Sequence, residues 1–349
     1  MKIHVADVMN GDLLIKDVFN SNGLLVISSG TVLQPSDISK LQMHSIEDVS
    51  ISPREILHRP EPQQSESYVP APGLKKEYES ALRGVESLFT QVLKEGRFDT
   101  AQADEAFTPL ADHFRQEKDV VTLLLTLNNK DDYTYQHSVQ VGMISYYLAK
   151  WLQLSEEDAL LAGKAGYLHD IGKALIDLAI LKKPGKLTPE EYEEVKLHTV
   201  YGHDIIRNSM GDSIFATVAM EHHERMDGKG YPYGKTGESL HLYSRIVAVA
   251  DVYSAMISSR VYQAKRDLLT VLKELHRCSF GELDPLITHT FIQHMIPNFI
   301  GKKVQLKSGE TGIIIMNNPN DYFHPLLQIG TEFIDLSKQP ESEIETIYF

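Results

Sequence analysis

The feature that most constrains the fold of this chain is a long block, residues 130–297, in which apolar residues recur at the spacing of amphipathic helices. Within it, Thr188 and Pro189 mark a helix start, because Thr suits the N-cap and Pro the first helical position. Successive helices with short connections favour an antiparallel bundle around one core, so we predict a mainly α fold. The apolar segments that carry the pattern are Val139–Leu152, Ala159–Tyr167, Ile205–Ile206, Ile214–Met220, Ile246–Ile257 and Leu286–Met295.

Shorter segments of different character flank this block. Residues 1–57 contain short apolar runs separated by Asn-Gly and Ser-Gly turns, which indicates a small β-rich module. Residues 58–73 are rich in Pro, Gln and Ser and are interpreted as a linker. Residues 74–129 return to helical spacing and are interpreted as connecting helices, the second of them over Ala106–Leu127. Residues 298–349 contain short apolar runs and a Ser-Gly turn, and predict a small β module at the C-terminal end.

The composition limits the classes of function. The net charge is −14, with 34 Lys and Arg against 48 Asp and Glu, so the chain lacks the basic footprint needed to bind a nucleic-acid polymer or an anionic membrane. A single cysteine, Cys278, excludes an intrachain disulfide and a zinc site built from cysteines. We expect neither a membrane-spanning helix nor a signal peptide, and therefore a cytoplasmic location.

Seven histidines and aspartates within the helical block point to a metal site. Each lies in or beside a predicted helix, and successive members are separated by about one helix plus a turn, so a bundle can present them at one level of its core. Taken singly, a helical His is usually an ordinary surface or core residue. Five imidazoles and two carboxylates together are too many for one ion but suit two, and imidazole binds Fe, Mn, Zn or Ni. The seven residues are His137, His169, Asp170, His198, His222, His223 and Asp251.

The segment His169-Asp170-Ile171-Gly172-Lys173 resembles the signature of the HD hydrolase superfamily. The segment from His222 to Pro232, HHERMDGKGYP, resembles the HD-GYP subgroup. Further matches bring the resemblance to residues 130–297, and residues 1–57 resemble, less specifically, the β-rich segment that often precedes such domains. HD-GYP proteins are metal-dependent phosphodiesterases. The resemblance therefore implies an HD-type helical bundle that hydrolyses cyclic di-GMP by attack of a hydroxide bridging two metals, with linear pGpG or GMP as the final product.

The resemblance also implies a ligand set. It implies two divalent ions, Fe or Mn first and Zn, Ni or Mg as alternatives. Asp170 would bridge them. The first ion would be held by His137, His169, Asp170 and Asp251, and the second by Asp170, His198, His222 and His223.

Other residues are assigned to the substrate by the same resemblance. Lys173, on the same helical face as Asp170, would contact a phosphate oxygen or the leaving group. Arg260 matches a position that contacts phosphate, while Gln263 stands where the family usually has a second basic residue. The loop residues Gly230, Tyr231 and Pro232 would shape substrate access and contact protein partners, and a homodimer is compatible with the resemblance.

The number of ions depends on one further position. Some members of the subgroup hold three metals with the help of a Glu four residues before the first His ligand, and here that position is Tyr133. A neutral phenol, with a pKa near ~10, is a poor ligand for a hard divalent ion at neutral pH. We therefore predict a two-metal site.

Two other functions remain open. The first is hydrolysis of a different nucleotide, either another cyclic dinucleotide or a guanosine polyphosphate; the Gly-Tyr-Pro segment argues against the polyphosphate. The second is a non-catalytic sensor that binds cyclic di-GMP and signals to a protein partner. Degenerate sensors usually lose metal ligands, and here all seven positions are filled, which favours catalysis.

Overall fold

The structure is a computed structural model, and it describes four stretches of the chain. These are residues 2–52 with short gaps at 6–7, 9–11, 20–24, 35–36, 39, 42–43, 45 and 47, then 73–115, then 133–257, and finally 268–348 without 319 and 340. The chain divides into two compact units, Met1–Val69 and Pro70–Phe349. The finer division into five segments that the sequence suggests stays a prediction.

The smaller unit contains two antiparallel strand pairs. Strand β1 (Lys2–His4) pairs with β4 (Asp48–Ser50), and β2 (Val18–Phe19) pairs with β3 (Leu25–Ile27). These short strands enclose an apolar core, as the predicted β-rich module requires. Its fully buried members include Leu14, Leu33, Leu41 and Ile51.

The larger unit begins with eleven described helices, several of which start at a clear N-cap. Thr188 forms the capping box expected from the sequence, because its side chain accepts from the Glu191 amide and Glu191 accepts from the Thr188 amide. Ser155 and Asp284 cap two other helices through their side chains. The helices are α1 (Leu74–Glu95), α2 (Thr100–Phe114), α3 (Tyr133–Trp151), α4 (Glu156–Leu168), α5 (Leu178–Leu181), α6 (Pro189–Lys196), α7 (His198–Met210), α8 (Ile214–Glu221), α9 (Leu242–Ile257), α10 (Leu268–Cys278) and α11 (Pro285–Met295).

Helix α2 differs from the sequence expectation. It begins at Thr100, six residues before the predicted Ala106, because Asp99 caps it by accepting from the Ala101 amide. Its last helical residue is Phe114, and the rest of the predicted helix, beyond residue 115, lies outside the described residues.

Helices α3, α4 and α9 form the centre of the larger unit, since apolar residues cover most of their surfaces and are buried. Tyr146, Tyr167 and Tyr253 are among its largest fully buried side chains. A short 3-10 helix, Ile171–Leu175, follows α4 directly and packs against α7. Residues from the ends of these helices therefore meet inside the bundle.

A five-stranded antiparallel sheet completes the larger unit, in the order β8-β7-β6-β5-β9. Four of these strands overlap the apolar runs seen in the sequence, whereas β9 was not predicted. The mainly α fold with a small β module at each end is confirmed. The strands are β5 (Lys303–Leu306), β6 (Thr311–Asn318), β7 (Asp321–Ile329), β8 (Glu332–Asp335) and β9 (Ile344–Tyr348).

Candidate metal centre

The structure brings all seven predicted histidines and aspartates together. His137 lies on α3 and Asp251 on α9, and these two side chains contact each other with 2.9 Å between Nε2 and Oδ1. The others lie at helix ends: His169 and Asp170 follow α4, His198 begins α7, and His222 and His223 follow α8. Six of the seven are buried and His223 is half-buried. The bundle therefore concentrates imidazoles and carboxylates at one place in its core.

These side chains form two groups, each of which could hold a metal ion. Within each group the candidate ligand atoms lie within 4.8 Å of one another. The first group is His137, His169 and Asp251, and the second is Asp170, His198, His222 and His223.

Asp170 lies between the two groups. Its Oδ1 atom is 3.3 Å from Nε2 of His198 and 3.8 Å from Nε2 of His222. Its Oδ2 atom is 3.4 Å from Nε2 of His169 and 3.8 Å from Nε2 of His137. The two oxygens of one buried carboxylate thus face different groups.

Three of the imidazoles are oriented in the same way. Nδ1 of His169 lies 2.6 Å from the Gly166 carbonyl oxygen, and Nδ1 of His198 lies 2.6 Å from that of Val195. Nδ1 of His222 lies 2.9 Å from the carbonyl oxygen of Ala219. Only a protonated Nδ1 can donate to a carbonyl, so in the neutral ring Nε2 carries the lone pair and points into the cluster.

The donor set fits a bound cation. Nε2 of His198 and Nε2 of His222 are 3.2 Å apart, and two lone pairs at that distance repel unless a cation or proton lies near them. Among the described residues, Nε2 of His169 and Oδ1 of Asp170 are buried without a hydrogen-bond partner. Buried polar atoms normally have partners, so these orphaned atoms are typical of metal ligands. Neutral imidazole and carboxylate suit divalent transition metals.

The electrostatics of the cluster hold four of its candidate ligands in the forms that bind metal. Burial alone would raise the pKa of Asp170, but positive charge on His169 and Lys173 holds it well below its ordinary value. Burial lowers the pKa of His198 to about 4 and that of His223 to about 3. Burial also lowers the pKa of His222, well below its ordinary value. A neutral imidazole and an ionised carboxylate are the forms that bind metal.

His169 behaves differently from the other buried imidazoles. Burial would lower its pKa, but the charges of Asp170 and Asp251 raise it instead. The two carboxylates therefore favour the protonated form of this ring more than water does.

The residues assigned to the substrate are only partly described. Nζ of Lys173 lies 2.5 Å from Oδ2 of Asp170, and its side chain is 22% exposed. The Tyr231 ring lies against the His223 ring, with centroids 4.7 Å apart and planes inclined by 30°. Gly230 and Pro232 flank this tyrosine in the loop that follows the His pair. Arg260 and Gln263 lie outside the described residues, and so does the side chain of Tyr133.

Sequence reasoning missed the residues that support the cluster. Ser254 donates to Oε1 of Gln140 at 3.0 Å, so its oxygen accepts from Nδ1 of His137, which lies 3.0 Å away. Ser254 lies three positions after Asp251, and Gln140 lies three positions after His137. On a helix this spacing places a residue on the same face as the predicted ligand. Two buried glutamates, Glu221 and Glu224, flank the His pair. The sequence feature that could have found them is a pair of acidic residues on either side of two candidate ligands.

The helical bundle holds two groups of imidazoles and carboxylates in its core, as the predicted HD-type fold requires. Comparison with known proteins agrees with this prediction. Residues 122–287 match the family described as HD domain. Over these residues the chain is similar to HD domains, and the predicted resemblance to HD-GYP phosphodiesterases is confirmed.

Three relatives are informative. A cyclic di-GMP phosphodiesterase of Pseudomonas aeruginosa is 32% identical over 71% of this chain and 60% of its own length. The 3'3'-cGAMP-specific phosphodiesterase 1 of Vibrio cholerae is 33% identical over 54% of this chain and 44% of its own. An HDG"Y"P protein from Bdellovibrio bacteriovorus shares the fold, with a TM-score of 0.53 at 15% identity over 83% of this chain and 97% of that one. The chain thus spans about half the length of these two curated relatives.

Within the stretches that the structure describes, every helix is too short or too polar to span a lipid bilayer.

Proposed function

We propose that this chain is a metal-dependent phosphodiesterase that hydrolyses cyclic di-GMP. The observation that carries the proposal is the position of Asp170, whose two oxygens face two separate groups of ligand atoms. That arrangement is typical of a carboxylate that bridges two ions. The activity of the relatives, which are phosphodiesterases of cyclic dinucleotides, supports the substrate class.

The proposed ligand assignment follows the two groups. One ion would be held by the group of His137, His169 and Asp251, the other by the group of His198, His222 and His223, with Asp170 shared. When bound, such ions neutralise phosphate charge, stabilise the leaving oxygen and lower the pKa of water. Iron or manganese suits this donor set, with Zn, Ni and Mg as alternatives.

Several residues are proposed to act on the substrate directly. The Lys173 ammonium is half-buried beside Asp170, where it can also donate to a phosphate oxygen of a bound dinucleotide. Arg260 is proposed as a second phosphate contact, on the sequence resemblance alone. Gly230, Tyr231 and Pro232 are proposed to shape access to the site and to contact protein partners. Because the chain is strongly acidic, substrate affinity would depend on the ions and these few local cations.

A second candidate substrate is 3'3'-cGAMP. The similarity to a phosphodiesterase specific for that nucleotide is nearly the same in identity as the similarity to the cyclic di-GMP enzyme. Both substrates present a phosphodiester to the same cluster and differ in one base, so the proposed chemistry is the same for both.

The test is hydrolysis by the full chain loaded with Mn²⁺ or Fe²⁺. Cyclic di-GMP, 3'3'-cGAMP and cyclic di-AMP are incubated separately, and linear products and mononucleotides are separated by chromatography. We expect cyclic di-GMP to be cleaved fastest. Asp170→Asn keeps the shape of the side chain but removes its charge, and should lower kcat by at least about 100-fold.

Asp204→Asn is the matched control, because Asp204 is an exposed residue on α7 that pairs only with His203 among the described side chains. It should retain the activity of the unmodified chain. Near-normal hydrolysis by Asp170→Asn would contradict the shared-ligand assignment. Binding of cyclic di-GMP without any cleavage would favour the sensor function instead.

A further inference from the structure

The loop after the His pair is attached to a buried carboxylate. Glu224, only 3% exposed, accepts from the Tyr233 amide at 2.7 Å through Oε1 and from the Lys235 amide at 3.1 Å through Oε2. A buried charge is costly unless it is hydrogen-bonded, and bonds from N–H groups to a carboxylate are about twice as strong as neutral ones. Glu224 therefore fixes the backbone of the loop at two points.

The same loop lies directly on the backbone that follows His223. The Tyr231 amide donates to the His223 carbonyl oxygen at 3.2 Å. A Cβ atom on Gly230 would overlap the Arg225 amide nitrogen and the His223 carbonyl oxygen, so only glycine permits this approach. Nζ of Lys235 also donates to buried Glu221 at 2.8 Å. The loop is thus held along its length.

The attachment of the loop bears on one imidazole in particular, that of His223. Among the described residues, the His223 ring makes no hydrogen bond, whereas His169, His198 and His222 are each oriented by a backbone carbonyl. His223 is also the half-buried member of its group, with 26% of its side chain exposed. What covers its ring on the loop side is Tyr231, 4.7 Å away and inclined by 30°.

We infer that Glu224 is a positioning residue: it clamps the loop so that the Tyr231 ring orients the His223 imidazole towards the cluster. The inference rests on the proposed function, in which His223 is a metal ligand. Tyr231 replaces, by ring packing, the carbonyl that orients the other three imidazoles. Residues that orient a ligand from outside typically change metal affinity by 10–100-fold.

The test measures the attachment of the loop and the affinity for metal separately. Glu224→Gln keeps the volume but turns an NH₂ group towards one of the two loop amides. We expect hydrogen exchange at the Tyr233 and Lys235 amides to accelerate about tenfold or more, and Mn²⁺ affinity, measured by calorimetry, to fall about tenfold. Tyr231→Leu should lower Mn²⁺ affinity similarly with little change in exchange. Tyr231→Phe keeps the ring and should bind Mn²⁺ like the unmodified chain.

Glu282→Gln is the matched control, because Glu282 lines the same small cavity as Glu224 but its carboxylate pairs with Arg225 and Arg277. It should change neither measurement. Unaltered exchange in Glu224→Gln would overturn the clamp, and fast exchange with unaltered Mn²⁺ affinity would overturn its link to His223. These measurements need no substrate, so an inactive chain that binds Mn²⁺ contradicts the proposed hydrolysis without touching this inference. If the unmodified chain bound no Mn²⁺, the link between Glu224 and metal binding by His223 would be overturned. Hydrogen exchange alone would then test whether Glu224 attaches the loop.

Discussion

The two ring nitrogens of the histidines at this site have separate partners. In His169, His198 and His222, Nδ1 is taken by the carbonyl three residues earlier, which leaves Nε2 for the cluster. The carbonyl is available because each ring lies at or next to a helix end, where the last carbonyls lack intrahelical partners. His137 uses a side-chain hydroxyl, that of Ser254, in the same role. The backbone thus orients most of the imidazoles before any ion binds.

The pKa values of the buried imidazoles predict how the metal-free chain responds to acid. His198, His222 and His223 have folded pKa values far below the ordinary ~6.5, so between pH 6.5 and about 4 the unfolded chain binds more protons than the folded one. The contribution of these three rings to stability is therefore complete above pH 6.5 and is lost as the pH falls. The pKa of His169 is raised instead, so its contribution has the opposite pH dependence: it is complete below the ordinary pKa of ~6.5 and is lost at higher pH.

We expect the free energy of unfolding with chelator present to fall by at least about 2 kcal/mol from pH 6.5 to pH 5. Urea unfolding followed by fluorescence of the single tryptophan, Trp151, measures it. His198→Gln should flatten the dependence, whereas His203→Gln, at a partly exposed position, should leave it unchanged. A stability that stays constant across this range would mean that the imidazoles are not buried in neutral form.

At the scale of elements, one glycine sets the distance between two parts of the site. Gly172 lies in the 3-10 helix after Asp170, and a Cβ atom there would overlap the His198 carbonyl oxygen and the Gly202 amide nitrogen of α7. The two candidate ligands on these elements, Asp170 and His198, can approach to 3.3 Å only because the backbones touch. Close approach of backbones requires a residue without a side chain.

We predict that Gly172→Ala separates the 3-10 helix from α7. Overpacking of this kind typically costs 1–3 kcal/mol, and the expected results are a lower unfolding midpoint and weaker Mn²⁺ binding. Gly202→Ala is the control from the other side of the contact, since its Cβ would lie an ordinary 3.4 Å from that of Ala219. That change should leave Mn²⁺ binding and stability near their original values. Equal effects of the two substitutions would contradict the argument.

At the scale of the whole molecule, the larger unit supplies every residue of the cluster, and an acidic chain has to concentrate positive charge there to bind an anionic substrate. Under the proposed function, bound ions would provide that charge. The two groups of candidate ligand atoms predict two ions. Tyr133 stands where three-metal members of the resembled subgroup have a Glu, which predicts no third ion.

Metal content per full-length chain, purified without chelators and measured by elemental analysis, should therefore be close to two. Removal of the ions should lower the unfolding temperature, because a ligand that binds only the folded state stabilises it. Asp170→Asn should reduce the content, whereas Asp204→Asn should not. Three fully occupied ions per chain would show that another ligand replaces the missing carboxylate.

The seven candidate ligands and the mainly α fold class could both be predicted from the sequence alone. Ligand types such as His and Asp are visible directly, and helical periodicity places one ligand or pair on each successive helix. The capping box at Thr188 could also be predicted from the sequence, because all its atoms lie within four residues. The ligand roles themselves stay predictions, although the structure brings all seven side chains together.

How those residues are arranged could be seen only in the folded chain. His137 and Asp251 touch although 114 positions separate them, and no local pattern encodes which oxygen of Asp170 faces which imidazole. The attachment of the loop by Glu224 was likewise invisible, because a glutamate in a polar segment looks solvated until its burial is known. Periodicity and composition report a residue's own environment, whereas the site consists of contacts between distant residues that only packing creates.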